Sequence, residues 1–599
     1  MKKECKIYDL FLQQIFYNKE KVAVVFDGNS ITYGELEEKI NDFSIILMQK
    51  KIYADANIVI ALPPSIDFVI AMFACFKLGY AYIPIDLSYP ESFLKTIIDK
   101  SKADYIISAA TYKHRLEKLA NFFIDVNDES PKNTIQIDDL IKTNSIAYII
   151  YTSASTGIAK GVIIENNGLV NLIQATKQLY NITSCDCIPL VHSLSFDFSI
   201  WEICSALCNG AQLIIPNSTI KKSTEEYLEF LIDKKITILN TTPSFFYLMQ
   251  TTILSKPSNI LEQLKLRLVI FGGEALQPKK ISSWFTLAIA DRVKVFNMFG
   301  ITEGTIHSTY IEITQEITKN EASVIGVPLP GIDIAIMHEE SKLVSDHQIG
   351  ELYLGGVSIA QGYLHEYSLN KEKFYYADLD SAGIKRWFKT GDLVKRCANG
   401  LEYIDRKDRL IKIRGFRVNC TQIENLLHSY PEVESAVVGT YLASDDMPRL
   451  VAFLKFYQKN IDKQLFERKI IENLPEFMRP SKIIIVKEFP LTNNNKTDLK
   501  YLIEKYINSP INAIADDFIE EKILSTTMEK VKMVWEKVLN ITTININDKF
   551  FDIGGDSLLL IKLQSELQIS LNREVRILDL VKFPAIKGFV DYLNSHDLK

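Results

Sequence analysis

The sequence predicts a multidomain protein: a large α/β domain, then a small α+β subdomain, then a helical bundle. Up to about residue 400, short β-branched and aromatic runs alternate with helix-like segments, which is typical of an α/β domain with a largely parallel sheet. Residues 406–505 carry separate strand-like runs at 410–413 and 483–486. Residues 526–599 open with an amphipathic helix, which indicates a third, helical unit.

The length supports this division, because a chain of 599 residues is too long for a single core. A stretch with little periodicity separates the second and third units and is expected to be a linker. The predicted segments are a large domain at 1–405, a small subdomain at 406–505, a linker at 506–525 and a terminal helical unit at 526–599.

The composition excludes several functional classes. A formal charge of -6 and a pI near 5.9, with no basic stripe, argue against a nucleic-acid partner. The most apolar stretch, residues 68–76, meets Lys77 before it reaches bilayer-spanning length, so a buried helix is expected and no membrane partner. The first residues are charged where a signal peptide needs an apolar run. We therefore expect a cytoplasmic protein.

A polar loop lies between the strand-like runs 146–150 and 162–164. Four hydroxyl side chains, two glycines that let the backbone turn its N–H groups inward and a lysine together suit a polyphosphate. The loop does not follow the Walker pattern, since its lysine is not followed by Ser or Thr. Taken alone, it is more typical of a solvated hairpin. Its candidate phosphate ligands are Thr152, Ser153, Ser155, Thr156, Gly157 and Lys160.

The terminal unit contains the motif DKFFDIGGDSL at residues 548–558, which places Ser557 at the start of a helix with an apolar face. A serine at this position could simply cap the helix. It could instead be an exposed attachment point, because Asp556 could serve as the cap. The residues alone leave both interpretations open.

The motifs together resemble nonribosomal peptide synthetases. The motif around Ser557 resembles the 4′-phosphopantetheine site of peptidyl carrier domains, and the loop at 151–161 resembles the phosphate loop of the adenylation domains, which are adenylate-forming enzymes. Further matches follow in family order at 31–36, 77–86, 196–199, 297–303, 350–353, 389–392, 406–415 and 490–496.

The resemblance implies ATP, Mg²⁺ and covalent 4′-phosphopantetheine as cofactors, and it assigns roles to individual residues. Lys160 and the loop hydroxyls would hold the leaving phosphates. The other implied roles are phosphate contact for Thr302, Mg²⁺ binding for Glu303, the adenine border for Asn297 and Phe299, the ribose for Asp392 with Arg406 beside it, the adenylate and substrate carboxylate for Lys496, and the hinge for Asp408.

The resemblance also implies a substrate. A carboxylate at Asp197 would pair with an α-ammonium group and repel a fatty acid, although alone it would be interpreted as a helix cap. Bulky side chains leave room for a small substrate, while Asn240 and His307 offer hydrogen bonds to a hydroxyl. The set resembles the threonine-selecting pattern, departing only at Ile306, so L-threonine is expected, with serine or 2-aminobutyrate as near misses. The pocket positions are Asp197, Phe198, Trp201, Asn240, Ile270, Gly272, Met298, Ile306 and His307, with Lys496 as the tenth.

The implied activity is transfer of the activated amino acid to the arm on Ser557. Its implied partners are a phosphopantetheinyl transferase, a downstream condensation or tailoring enzyme acting in trans, and an MbtH-like protein. Two alternatives stay open: an acyl or aryl-acid ligase, and a catalytically impaired carrier or docking protein. The second arises because Ala154, Ala159 and Asn495 stand where the family has glycine, proline and glycine.

Overall fold

The structure is a computed structural model. The chain folds into two units, the larger formed by Met1–Ser218 with Leu228–Val418 and the smaller by Thr219–Tyr227 with Asn419–Lys599. The described residues are 5–53, 56–128, 145–152, 159–217, 223–338, 343–344, 347–379, 382–407, 410–413, 415–443, 447–457, 463–490, 497–508, 526–539, 544–546, 548–551, 553, 555, 557–571, 573 and 575–596.

Up to residue 419, strands and helices alternate as the sequence predicts. The strands are β1 (Val22–Phe26), β2 (Asn29–Thr32), β3 (Asn57–Ile60), β4 (Ala81–Pro84), β5 (Tyr105–Ser108), β6 (Phe122–Asp125), β7 (Ile146–Thr152), β8 (Lys160–Glu165), β9 (Cys187–Pro189), β10 (Gln212–Ile215), β11 (Ile238–Thr241), β12 (Leu268–Phe271), β13 (Lys294–Phe299), β14 (Thr309–Glu312), β15 (Ser323–Pro328), β16 (Ile332–Met337), β17 (Gly350–Gly356), β18 (Gly362–Tyr363), β19 (Phe374–Ala377), β20 (Lys385–Cys397), β21 (Gly400–Arg406), β22 (Leu410–Ile413) and β23 (Phe416–Asn419). The α-helices are α1 (Ile7–Asn18), α2 (Tyr33–Gln49), α3 (Ile66–Leu78), α4 (Glu91–Ser101), α5 (Lys113–Leu116), α6 (Asn166–Tyr180), α7 (Phe198–Leu207), α8 (Thr224–Asp233), α9 (Pro243–Leu254), α10 (Ser258–Leu261) and α11 (Tyr367–Lys373).

These strands form four sheets. A seven-stranded sheet has the order β18-β8-β7-β4-β3-β5-β6, and a four-stranded sheet has the order β2-β1-β10-β9. A ten-stranded sheet runs β11-β12-β13-β14-β15-β21-β20-β17-β16, with β19 paired to β20, and β22 pairs with β23. The boundary predicted at 405/406 stays a prediction, and β22 is grouped with the larger unit.

The expectation of a largely parallel sheet is wrong for part of the larger unit. The pairs among β3, β4, β5 and β6 and among β11, β12 and β13 are parallel. From β14 onward the ten-stranded sheet is antiparallel. The physical reason is local: β20 and β21 are joined by a tight turn in which Gly400 has φ +101°, and such short turns connect antiparallel neighbours only.

Helix α3 confirms the prediction of a buried helix. The Ser65 hydroxyl accepts a hydrogen bond from the Phe68 N–H at its start, and Gly79 ends it with φ +72°. The side chains of residues 68–76 are buried in the main core. Among the residues described, no helix combines the length and the apolar character needed to cross a bilayer.

The smaller unit contains an α+β part and a helical part, as predicted. In the first part, β24 (Val433–Leu442), β25 (Pro448–Phe456) and β26 (Lys482–Ile485) form a three-stranded sheet with α12 (Cys420–His428), α13 (Lys463–Asn473) and α14 (Leu499–Ile503). The second part consists of α15 (Thr526–Leu539), α16 (Ser557–Leu571), α17 (Ile577–Lys582) and α18 (Ile586–His596). Its core includes the fully buried Val531, Trp535, Leu563 and Phe589, so the apolar face of the first helix packs as the sequence indicates.

Candidate active site

The two predicted strands on either side of residue 155 are found, as β7 and β8. They pair antiparallel, and Thr152 opposite Lys160 is the last pair before the loop. The Thr152 hydroxyl is buried and has no hydrogen-bond partner among the described residues. The predicted loop ligands Ser153, Ser155, Thr156 and Gly157, and the variant position Ala154, lie outside the described residues.

A cluster of buried charges surrounds Glu303. This residue is the middle one of the 3-10 helix Thr302–Gly304, and its side chain is fully buried. The Lys160 ammonium lies 3.7 Å from Oε1, and Nη1 of Arg417 donates to both carboxylate oxygens at 2.9 Å. The Tyr363 hydroxyl donates to Oε1 at 2.6 Å. The structure thus brings the predicted phosphate lysine and metal carboxylate together.

These neighbours keep the Glu303 carboxylate ionised. Burial alone would raise its pKa, but the charges of Arg417 and Lys160 and the hydrogen bond from Tyr363 outweigh burial and lower the pKa to about 2. Mg²⁺ at nucleotide sites is usually held by one or two carboxylates together with substrate phosphates. Among the described residues, no group of three or more His, Cys, Asp or Glu side chains is arranged to hold a metal ion. A single ionised carboxylate such as Glu303 is the kind of protein ligand that a metal shared with bound phosphates uses.

Asp392 and Arg406 lie opposite each other on β20 and β21. The guanidinium of Arg406 donates to Asp392 Oδ1 at 2.6 Å and to the Thr390 carbonyl at 3.0 Å. Both side chains are almost fully buried, and Asp392 Oδ2 has no hydrogen-bond partner among the described residues. One oxygen of a fixed carboxylate is thus left as an acceptor, as binding of a ribose hydroxyl requires.

Asn297 and Phe299 lie on β13, near Lys412 of β22. The Asn297 amide donates to the Val324 carbonyl at 2.7 Å, while its buried oxygen has no partner in the described structure. The Lys412 ammonium lies 5.6 Å from the centre of the Phe299 ring and donates to the Gly300 carbonyl at 3.1 Å. An aromatic face beside a free amide oxygen suits a purine that donates a hydrogen bond.

Asp197 immediately precedes helix α7, but it does not act as its cap. It occupies the N-cap position without any capping hydrogen bond from its side chain. The side chain is buried and is hydrogen-bonded instead to Thr302. Burial raises the pKa of Asp197 to about 6, although the hydrogen bond from Thr302 and the charge of Lys412 oppose it. Keeping this buried carboxyl group ionised costs free energy, and a cationic ligand would offset that cost.

The predicted pocket walls meet at the ends of neighbouring elements. Asn240, Ile270 and Met298 come from the adjacent strands β11, β12 and β13. The rings of Phe198 and Trp201 lie 5.1 Å and 5.9 Å from that of His307.

Gly272 keeps this pocket tight, because a Cβ there would lie 2.6 Å from the Phe198 ring. Ile306 is buried with φ +70°, in the left-handed region that a β-branched residue rarely adopts. Strain of this kind is found mainly at binding and catalytic sites, where the surrounding structure enforces it.

Two polar side chains of the pocket, His307 and Asn240, are neutral and have atoms without a hydrogen-bond partner among the described residues. Burial, helped by the nearby charges of His192 and Lys412, lowers the pKa of His307 to about 3. Neither of its ring nitrogens has a hydrogen-bond partner within the described residues. The oxygen of Asn240 is likewise buried and unpaired, while its NH₂ group lies 3.4 Å from the Glu202 carboxylate. The pocket can therefore both donate and accept hydrogen bonds.

Besides the loop ligands named above, three predicted functional residues have no described side chain. Lys496 and Asp408 lie outside the described residues. Ser557 is the first residue of α16, as the sequence predicts, and its side chain is not described.

Sequence reasoning missed Arg417, Tyr363, Lys412 and Glu202. Lys412 lies within the motif at 406–415, and Arg417 lies two residues beyond it. The charge of these side chains was the only signal. Nothing in the sequence distinguishes Tyr363 from other buried tyrosines. Glu202 was a detectable signal, because a carboxylate amid the apolar residues of α7 requires buried partners.

Comparison with protein families matches most of the chain. Residues 11–364 match the AMP-binding enzyme family, residues 422–496 match the AMP-binding enzyme C-terminal domain, and residues 529–593 match the phosphopantetheine attachment site. These correspond to an ATP-using adenylate-forming domain, whose enzymes generally require Mg²⁺, and to a domain that carries covalent phosphopantetheine.

Related proteins share this arrangement. The chain is 32% identical over 601 residues to a dimodular nonribosomal peptide synthase of Bacillus subtilis, covering 97% of this chain and 25% of that protein. It is 32% identical over 573 residues to syringomycin synthase SyrB1 of Pseudomonas syringae pv. syringae, covering 93% of this chain and 91% of that protein. The chain spans a quarter or less of the length of three related synthetases, one of which is the dimodular synthase of Bacillus subtilis.

A solved structure confirms the fold class. Holo-PA1221, described as a nonribosomal peptide synthetase protein containing adenylation and PCP domains, has a TM-score of 0.81 at 19% identity, with 98% of this chain and 96% of that chain covered. With the family matches and the relatives, this likeness identifies the class of protein. The chain belongs to the AMP-binding enzyme family, as an adenylation domain joined to a phosphopantetheine carrier domain of the nonribosomal peptide synthetase type.

Proposed function

We propose that this protein activates L-threonine as threonyl-AMP and transfers it to a phosphopantetheine thiol on Ser557 of the same chain. The observation that carries the proposal is a buried carboxylate, Asp197, followed in sequence by Phe198, whose ring packs against the neutral imidazole of His307. This imidazole and the Asn240 amide oxygen have no hydrogen-bond partner among the described residues. A carboxylate selects an α-ammonium group. The two neutral groups select a side chain that can both donate and accept a hydrogen bond.

ATP would lie across the elements that hold the predicted ligands. Asp392, fixed by Arg406, would accept from a ribose hydroxyl through its free oxygen, and the Asn297 oxygen would accept from the adenine amino group. Lys160 and the Thr152 hydroxyl would contact the phosphates. When bound, Mg²⁺ would neutralise charge on the phosphate oxygens, with Glu303 as the protein ligand.

The first reaction joins two anions, so the protein must supply positive charge. The amino-acid carboxylate oxygen forms a bond to the α-phosphorus of ATP, and the bond from that phosphorus to the bridging oxygen breaks, releasing pyrophosphate. Lys160, and by resemblance Lys496, would stabilise the charge that collects on the oxygens. Asp197 would hold the ammonium group so that the carboxylate faces the phosphorus.

The second reaction uses the carrier domain. The thiol of the arm on Ser557 attacks the acyl carbon, the bond to AMP breaks, and the thiol proton is released as the thioester forms. By resemblance, a change in orientation about Asp408 would withdraw Lys496 between the two steps. Lys496→Ala is then expected to abolish adenylation while keeping transfer from supplied threonyl-AMP, and equal loss of both steps would contradict this role.

The size and polarity of the pocket support threonine. The rings of Phe198 and Trp201 pack against His307, and the Phe198 ring also packs over Gly272. Walls of this bulk favour a small substrate side chain. A site that pairs with a substrate hydroxyl rejects the analogue lacking it, by as much as ~10⁴-fold, because its own polar groups are then left unpaired. Serine would retain the hydroxyl but lose the methyl contact, which is worth about 10- to 200-fold in such pockets.

The decisive experiment is amino-acid-dependent ATP–pyrophosphate exchange with a panel of amino acids. Threonine is expected to give the highest kcat/KM, and a panel in which it is not among the best substrates would refute the assignment. In parallel, a phosphopantetheinyl transferase should add one arm to the wild type and none to Ser557→Ala, while exchange is equal in both. Arm attachment without any exchange would indicate an impaired carrier or docking protein, and exchange with aryl or fatty acids would indicate the ligase alternative.

The partners follow from this activity. Threonine bound as a thioester must pass to another catalytic centre, and we propose a condensation or tailoring enzyme acting in trans. An MbtH-like protein is proposed as an activator, tested by whether its addition raises the exchange rate. We place the reaction in the cytoplasm, where ATP is available.

A further inference from the structure

A buried carboxylate behind the pocket makes contacts that the proposed reaction does not use. Glu202 of α7 is fully buried. Its Oε2 accepts hydrogen bonds from the backbone N–H groups of Val191 and His192, at 2.9 and 3.2 Å. Its Oε1 lies 2.6 Å from Nδ1 of His192 and 3.4 Å from the NH₂ group of Asn240. The two backbone N–H groups and the Asn240 NH₂ group are donors, and Nδ1 of His192 donates as well when it carries the ring proton. The ionised carboxylate can act only as an acceptor.

This arrangement determines which way the Asn240 amide faces. An acceptor-only carboxylate can be approached only by the NH₂ end of an amide. The oxygen of Asn240 must therefore point away from Glu202, and it is the oxygen that is buried and unpaired among the described residues. Without this constraint, the two ends of an amide are nearly equivalent in shape and either could face the pocket.

Glu202 also braces an apolar wall. The His192 ring that it holds contacts the Phe198 ring edge-on, with centroids 5.1 Å apart. The same Phe198 ring packs closely over Gly272, where an added Cβ would lie 2.6 Å from it. One carboxylate thus fixes a polar group and an aromatic group on the pocket surface.

We infer that Glu202 is a positioning residue for substrate selection, which turns the Asn240 oxygen toward the bound amino acid and so requires a side chain that donates a hydrogen bond. The inference rests on the proposed amino-acid-activating function. It adds that the hydroxyl of the substrate donates to Asn240 and accepts from His307. Glu202 itself does not touch the substrate.

Two substitutions test the role. In Glu202→Gln, the new NH₂ group would face the NH₂ group of Asn240, so the Asn240 amide must turn its oxygen away from the pocket. Glu202→Asp keeps the negative charge beside His192 but is one methylene too short to reach Asn240. The second variant decides the question if the first does not fold.

The readout is the ratio of kcat/KM for threonine to that for 2-aminobutyrate, measured by pyrophosphate exchange. We expect the ratio to fall about tenfold or more in Glu202→Gln, because a buried hydrogen bond to the hydroxyl is lost, and by a smaller factor in Glu202→Asp, where the Asn240 amide is released but not turned. The fall should appear mainly in KM for threonine. In an Asn240→Ala background, Glu202→Gln should leave the ratio unchanged, since its effect acts through that amide.

Equal losses for both substrates, with an unchanged ratio, would show a merely structural role and overturn the inference. A fall of the same size in the Asn240→Ala background would overturn it as well.

Failure of the proposed substrate is distinguishable, because it appears in the wild type as preference for another amino acid. If the wild type prefers serine, the ratio of kcat/KM for serine to that for alanine is measured in place of the ratio of threonine to 2-aminobutyrate. If the wild type shows no exchange, dissociation constants from calorimetry give the same ratio. A wild type that does not favour the hydroxyl in any such pair overturns the inference.

Discussion

The raised pKa of Asp197 predicts that replacing this carboxylate stabilises the protein while it destroys substrate recognition. In the substrate-free protein, Asp197 must be ionised at neutral pH inside a buried site, and burial is the largest cause of its raised pKa. Asp197→Asn removes the charge but keeps an oxygen that can accept the hydrogen bond from Thr302. We therefore expect a more stable variant that no longer pairs with an α-ammonium group.

The magnitude follows from the two pKa values. The folded-state pKa is about 6 against an ordinary value of 3.8, a difference of about 2 units. Because the pKa of Asp197 is higher in the folded than in the unfolded protein, protonation of this residue stabilises the fold. This contribution is complete below pH 3.8 and is lost as the pH rises through 6. At 1.36 kcal/mol per unit, ionised Asp197 costs the wild type about 3 kcal/mol at pH 8 and about half of that at pH 5. The advantage of Asp197→Asn should grow accordingly between these pH values.

Urea unfolding at pH 5 and pH 8 measures this difference, followed by the fluorescence of the buried Trp201, Trp284 and Trp387 in the larger unit. Asp186→Asn is the matched control. Asp186 is equally buried, but its pKa is lowered, since hydrogen bonds from Arg267 and other donors outweigh burial. That variant should be less stable at pH 8.

A loss of stability in Asp197→Asn at pH 8 would refute the reasoning, since it would mean that the carboxylate is already paired in the substrate-free protein. An advantage that does not change between pH 5 and pH 8 would refute the assignment of the pKa. In the exchange assay, Asp197→Asn should lose threonine-dependent activity at every pH.

Three further predictions follow from the site. Glu303→Gln leaves Arg417 and Lys160 buried without their carboxylate. We therefore expect the free energy of unfolding to fall by about 3–5 kcal/mol and pyrophosphate exchange to be lost. An unchanged free energy of unfolding would contradict the buried ion cluster. Asn297→Ala should raise KM for ATP about tenfold and leave KM for threonine unchanged, as measured by varying each substrate in exchange, because the amide oxygen is the proposed acceptor for the purine. Gly272→Ala should push the Phe198 ring into the pocket, so kcat/KM for threonine should fall at least ~10-fold while glycine gains relative to it; an unchanged panel would mean that this wall is not rigid.

Much of the fold followed from periodicity, because burial imposes regular spacing on apolar residues. The apolar run of α3 and the first helical face of the carrier domain are buried as predicted. Strand pairing was harder, since alternation along one strand does not state which neighbour it meets or in which direction. The antiparallel region from β14 to β21 was therefore mistaken for more parallel sheet.

The site was predictable only where a motif carried the charge. Glu303, Asp392 and Lys160 stand in motifs that the sequence reveals, and the structure pairs Lys160 with Glu303 and Asp392 with Arg406. Their implied roles stay predictions. Tyr363 could not be predicted, because it reaches Glu303 from 60 residues along the chain through the packing of β18 on β8. Arg417 arrives from 114 residues away. Such contacts are set by tertiary packing, which leaves no local pattern.

Two acidic side chains at this site illustrate how packing, rather than residue type, assigns chemistry. Glu303 and Asp197 are both buried carboxylates, and Thr302 adjoins the first in sequence and hydrogen-bonds the second. Cations close to Glu303 lower its pKa to about 2, whereas burial raises that of Asp197 to about 6. Glu303 is therefore charged before any ligand arrives, as a metal and phosphate site requires. Under the proposed function, Asp197 gains a full partner only when an ammonium group binds, so its desolvation would favour amino acids over neutral or anionic competitors.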